Sequence, residues 1–192
     1  SLLPAAQPFF DQGLRLAWAF YFPESIASYQ EASRLDPTHP MPYWGLAHAA
    51  GPNPNSRYAQ MPDDPNGIGK AAINKALDYI ERASATESAL IQALRIFYDD
   101  ETIPDPDDRD LAYLSAMRAL NQQFPADPDI AALYAASYMS IRRWDYWDGA
   151  GEPKSETLQV AAALEKIIET DRTHPGVLHL HIHLIEASRH PE

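Results

Sequence analysis

Five of the seven histidines fall between positions 174 and 190, in the run His174-Pro-Gly-Val-Leu-His-Leu-His-Ile-His-Leu-Ile-Glu-Ala-Ser-Arg-His190. Imidazole is a neutral metal ligand and a proton carrier near neutral pH, so such clustering points to metal coordination or acid-base work. As a strand, His179, His181 and His183 would share one face between apolar residues. As a helix turning about 100° per residue, His179, His183 and Glu186 form one stripe, His190 extends it if the last turn persists, and His181 points away. Two imidazoles four residues apart then stand close enough to hold one ion, copper, zinc or iron, while a carboxylate one turn on can ligate or orient an imidazole. Ligands from one helix rarely complete a coordination sphere, so a further group must come from elsewhere in the chain, from a partner or from solvent; Asn53, Asp145 and Asp148 are the candidates within the chain. The competing reading is structural. Leu178, Ile182 and Ile185 make an apolar stripe, and Val177, Leu180 and Leu184 cover much of the rest, so the helix is expected to be buried, with His-Glu pairs satisfying each other without metal.

A second copy of the same punctuation decides between strand and helix. Thr173-His174-Pro175 repeats Thr38-His39-Pro40, which precedes a stretch running through Tyr43, Trp44 and Leu46. Proline is suited to the first position of a helix, so a helix is expected from 175 to 189, with His179 in the place of Trp44 and His183 in that of His48.

These helices need a scaffold, and the chain repeats one. Ser25, Tyr29, Ala32 and Pro37 follow one another at spacings of four, three and five. Four and three are steps along one helical face, so a small, an aromatic and a small residue make a stripe for close packing, which the proline ends. Upstream, Phe9, Gly13 and Leu16 share a face on which the glycine admits a neighbouring helix. Ala76, Ile80 and Ala83 keep the four-three step within the stretch 70–85; Tyr113, Met117, Leu120 and Pro125 restore the full spacing; Val160, Leu164, Ile167 and Arg172 repeat it.

Residues 5–50 resemble the tetratricopeptide repeat, whose first helix carries an aromatic and then a glycine and whose second carries the small-aromatic-small-proline signature. The resemblance implies a right-handed all-α superhelical solenoid of antiparallel helix pairs, about nine helices in one domain over 1–192: pairs at 5–37, 40–85, 86–124 and 127–171, then an unpaired last helix. The His-Pro-Gly run with His-x-x-x-His-x-x-Glu also resembles the N-terminal part of larger bacterial tetratricopeptide proteins with a further His-rich segment, which implies that remaining ligands could lie in a continuation. The repeat's usual period is about 34 residues. Longer intervals here require insertions, expected as loops at 51–66, 99–107 and 144–153, which are rich in Pro, Asp, Asn or Gly.

Within these loops, Trp144 and Trp147, among acids and glycines, either contact a ligand or peptide or pin the loop to the scaffold. Asn53 and Asn55 either face a ligand or hold turns. The acidic run from Asp99 to Asp108 lacks the spacing of a calcium loop and reads as a solvated segment.

Composition narrows the rest. Fifteen Lys+Arg against 27 Asp+Glu give a net charge of -12, which repels phosphate backbones and anionic lipid and argues against nucleic acid as a partner. Apolar runs such as 14–22 fall short of the roughly 20 residues of a membrane span. With no cysteine, thiolate nucleophiles, zinc-thiolate sites and iron-sulfur clusters are excluded. Ser1 in place of an initiator Met fits a removed leader, a trimmed chain or a fragment, and the expectation leans to an exported protein, periplasmic or extracellular. No nucleophile elbow, phosphate loop, dinucleotide fingerprint or His-Glu-x-x-His occurs. The expectation is a scaffold binding a protein partner or copies of itself, head to tail, through Leu178, Ile182 and Ile185 of the incomplete last hairpin with Trp144 and Trp147; the alternative is a metal-binding protein, a fragment of a metalloenzyme, using His179, His183, Glu186 and His190.

Overall fold

Seventeen prolines look costly for a helical chain until their places are seen: Pro40, Pro65, Pro106, Pro128 and Pro175 each open a helix, where the missing N–H would have had no intrahelical partner. The computed structural model describes residues 1–54 and 60–191. Among these are nine α-helices and no strand: α1 Gln7–Trp18, α2 Phe22–Leu35, α3 Pro40–Ala50, α4 Pro65–Asp78, α5 Ala85–Phe97, α6 Pro106–Gln123, α7 Pro128–Arg142, α8 Thr157–Ile168 and α9 Pro175–Ile185. A lone antiparallel bridge joins Trp147 and Pro153. No helix among the described residues is long and apolar enough to cross a membrane.

Polar side chains begin several helices by accepting from backbone N–H groups otherwise left over in the first turn. Asp64 accepts from Gly67 N, Asp127 from Ile130 N, and Ser84 forms a capping box with Glu87 ahead of α5. The two Thr-His-Pro copies do this with imidazole: His39 Nδ1 accepts from Met41 N at 3.3 Å and His174 Nδ1 from Val177 N at 3.1 Å.

The chain forms two compact units, Ser1–Tyr113 and Leu114–Glu192, divided within α6. In the first, α2 packs on α1 and α3, and α3 packs on α4. Ser25, Tyr29 and Ala32 are all buried on α2, as their four-three spacing predicts. The Tyr29 ring lies against both Gly13 of α1 and Gly45 of α3, each of which leaves the ring room that a methyl group would take, and Ser25 Oγ donates to Gly13 O at 2.7 Å. Tyr98, just beyond α5, joins helices in a similar way. Its hydroxyl donates to Ala47 O of α3 at 2.7 Å and rests against Gly51 and Gly69.

In the second unit α7, α8 and α9 each touch the other two. Val160, Leu164 and Ile167 of α8 and Val177, Leu180 and Leu184 of α9 are buried, joined by a nearly continuous buried run from Ile130 to Met139 on α7. The Met117 and Leu120 positions of α6 are buried as well.

Two expectations about the first unit need correction. The helix expected over 70–85 begins five residues earlier, at Pro65, and ends at Asp78, followed by a 3-10 turn Ile80–Arg82. Ile80 and Ala83 therefore leave the helical face that Ala76 occupies, and both are only half-buried. The reason is a second start signal: Ser84 and Glu87 cap α5, so the preceding helix must end before it.

Candidate functional site

Helix α9 exists because its Thr-His-Pro start is satisfied twice. His174 Nδ1 accepts from Val177 N, which leaves the ring proton on Nε2, and that atom faces Asp129 Oδ1 in the first turn of α7 at 3.0 Å. One imidazole thus caps α9 and ties it to α7. The helix begins at Pro175 as the repeated tripeptide predicts; the cap itself was not among the expectations, and the same tripeptide at Thr38-His39-Pro40 was its available signal.

From that start, the helical period places Gly176, Val177, Leu180 and Leu184 inward, all buried. The expectation that the whole helix is buried is corrected: Ile182, directly opposite the buried face, is 59% exposed, and Leu178 and Ile185 are half-buried. Among the described residues α9 packs on α7 and α8, and those cover one side.

His179 and His183 occupy one flank. Their rings are 4.8 Å apart between centroids and their Nε2 atoms approach to 3.0 Å. His183 Nδ1 lies 3.4 Å from Glu186 Oε1, an arrangement that favours the proton on Nδ1 and turns the Nε2 lone pair towards His179. The Trp144 ring meets His183 edge-on at 4.8 Å. Of the four expected ligands, the structure brings together His179, His183 and Glu186 as a stripe but does not add His190. The α9 helix stops at Ile185 rather than 189, with Glu186 at its cap. Beyond it the chain turns aside, because Arg189 Nε donates to Ala150 O at 2.6 Å and its guanidinium pairs with Glu152 at 2.7 Å; Pro191 further disfavours helix at position 190. Among the described residues no group of three or more His, Asp or Glu is arranged to hold a metal ion.

The proposed supplementary ligands have other work. Asn53 Nδ2 donates to the carbonyls of His48 and Ala49 at the end of α3, and Asn55 lies outside the described residues. Asp145 pairs with Lys154. Asp148 accepts from the backbone N–H groups of Glu152 and Ala150, which hold its carboxyl below the ordinary range.

The loop between α7 and α8 reaches this helix through both tryptophans. Arg143 and Trp144 take left-handed backbone angles, φ 49° and 73°, uncommon for residues with side chains, and the chain reverses there. Trp144 lands on His183, and Trp147 Nε1 donates to Leu184 O at 2.6 Å. Both rings thus fix the loop to α9. The other flank of α9 borders a groove of about 460 Å³, lined by Trp147, Leu158, Ala161, Glu165, His181 and Ile185 among others. Leu158 of α8 is 58% exposed, and His181 Nε2 sits 3.5 Å from Glu165 Oε1.

The chain matches no protein-family model, no curated protein and no solved structure. The chain's own two Thr-His-Pro helices can, however, be set against each other. Helix α3, which starts with the same tripeptide, packs on α1 and α2 as α9 packs on α7 and α8, but α3 also carries α4 and α5. At the place of Ile182, α3 has Ala47, fully buried, its carbonyl holding the Tyr98 hydroxyl. At the places of His179 and His183 it has Trp44 and His48, stacked at 5.5 Å and also buried.

Proposed function

We propose that the chain is an interaction scaffold of tetratricopeptide-like helix pairs, and that it binds an amphipathic helix of a protein partner on the outer face of α9. The single observation that carries this reading is the contrast between two equivalent helices: the face closed on α3 is open on α9, where Ile182 stands out between half-buried Leu178 and His179. Removing the exposed part of that side chain from water stabilises a complex by about 1–2 kcal/mol before the costs of association. The character of the occupant follows from α4, which packs on α3 and buries Gly69, Ala72, Ile73 and Ala76. Small residues at three- and four-residue spacing let two helix axes approach, so the partner helix should bear small and apolar residues at that spacing. The buried four-three stripes and the glycine-seated Tyr29 support the repeat reading.

Selection of a phage-displayed library of amphipathic helical peptides on the purified protein tests it. The expected winners share a small-apolar stripe and lose binding to Ile182→Asp. Winners without a common stripe, or winners that bind Ile182→Asp equally well, would refute the assignment.

A further inference from the structure

We propose that His179 and His183 chelate a divalent transition-metal ion, with zinc as the reference ion, in a two-imidazole site on the flank of α9. The proposal stands on the histidine pair alone and does not depend on helix docking. Most other histidines are committed elsewhere: His39 and His174 spend Nδ1 on helix caps, His48 is 1% exposed, and His181 is on the opposite flank beside Glu165. Only at positions 179 and 183 do two Nε2 atoms converge, 3.0 Å apart among the described residues.

That separation suits a shared ion, which takes the place of the proton held between the two Nε2 atoms once the His179 ring proton has passed through water to its Nδ1. Two nitrogens at about 2.0–2.1 Å from a tetrahedral zinc are roughly 3.3 Å apart, so rotation of the rings by a few tenths of an ångström opens the pair to admit it. The helix fixes the spacing, because residues four apart stand one above the other. Glu186 stands behind His183 Nδ1 at 3.4 Å, the relation in which a carboxylate orients a ligating imidazole and raises its basicity. Trp144 bounds the His183 ring at its edge. The side chain of His183 is 25% exposed, so water can occupy the remaining coordination positions. Two protein ligands make a site that gains and loses its ion readily, unlike a closed structural zinc centre.

The test is calorimetric titration of the whole, chelator-stripped chain with zinc chloride. About one equivalent is expected, lost in the His179→Gln, His183→Gln double variant and unchanged in His181→Gln. Glu186→Gln should weaken binding about 10–100-fold without abolishing it, an effect that merely structural histidines would not produce. Electron paramagnetic resonance of the copper(II)-loaded unmodified chain provides a second reading that needs no variant, and should show two coupled imidazole nitrogens. Absence of a zinc heat, zinc binding that survives the double variant, or a copper spectrum without nitrogen coupling would each overturn the proposal.

Discussion

Replacing Gly45 by alanine puts two opposing effects in one position. A β-carbon built there falls 2.5 Å from Cδ1 and Cζ of Tyr29, and the ring cannot retreat because Tyr29 is fully buried. Overpacking of this kind costs about 1–3 kcal/mol. Alanine in mid-helix recovers about 1 kcal/mol of propensity over glycine, so the net effect should be a destabilisation of up to about 2 kcal/mol, read as a lower urea midpoint by circular dichroism. The equivalent β-carbon on Gly13 meets the ring at 2.9 Å, a milder intrusion, so Gly13→Ala should cost less. The decisive measurement is the same substitution in a Tyr29→Leu background. With the ring gone, propensity prevails and Gly45→Ala should stabilise by about 0.5–1 kcal/mol, a coupling within the range found for residues in contact. If Gly45→Ala shifts the midpoint equally in both backgrounds, or raises it in the unmodified chain, the wedge does not hold these helices.

Three further expectations follow from contacts already described. Burial lowers the pKa of His39 below its ordinary value, against smaller opposing effects of Glu87 and Asp36. The unfolded chain therefore takes up this proton first as pH falls, and stability should decline from just below about pH 6.5 until the lowered folded value is passed. His39→Asn, which keeps a capping acceptor but cannot titrate, should shrink the loss between urea midpoints measured at about pH 7.5 and 5.5; an equal loss would exclude His39 as the source. Trp147→Phe removes the donor to Leu184 O and should cost about 1 kcal/mol while speeding hydrogen exchange in the loop 148–153; unchanged exchange would mean the loop is held by other contacts. Tyr98→Phe strands the buried Ala47 carbonyl and should cost about 1–3 kcal/mol in the same unfolding assay, whereas a neutral result would show that water replaces the hydroxyl.

What could be read from the residues depended on whether the physics was local. The four-three stripes at Ser25, Tyr113 and Val160 needed only the helical period and were all buried. The second Thr-His-Pro located α9 for the same reason, since a cap and a proline act within one turn. The stripe through Ile80 failed where a stronger neighbouring signal, the Ser84 capping box, cut the helix short. His190 left the α9 face because Arg189 is drawn to Ala150 and Glu152, far back along the chain, an attraction no local pattern encodes. Likewise nothing set Gly45 and Gly69 apart until Tyr29 and Tyr98 were found resting on them.

Those two tyrosines also govern how the first unit comes apart. Tyr29 is seated only when α1, α2 and α3 are all present, and Tyr98 only when the end of α5 meets both α3 and α4. Helix α3 belongs to both sets. In many repeat proteins each hairpin contributes nearly independently and ends can fray; here loss of α1 would uncover a ring that α3 also needs, and loss of α5 would strand a carbonyl on that same helix. The amides of α1, α3 and α5 should then open together as one cooperative block, with no stepwise peeling from the first helix inward.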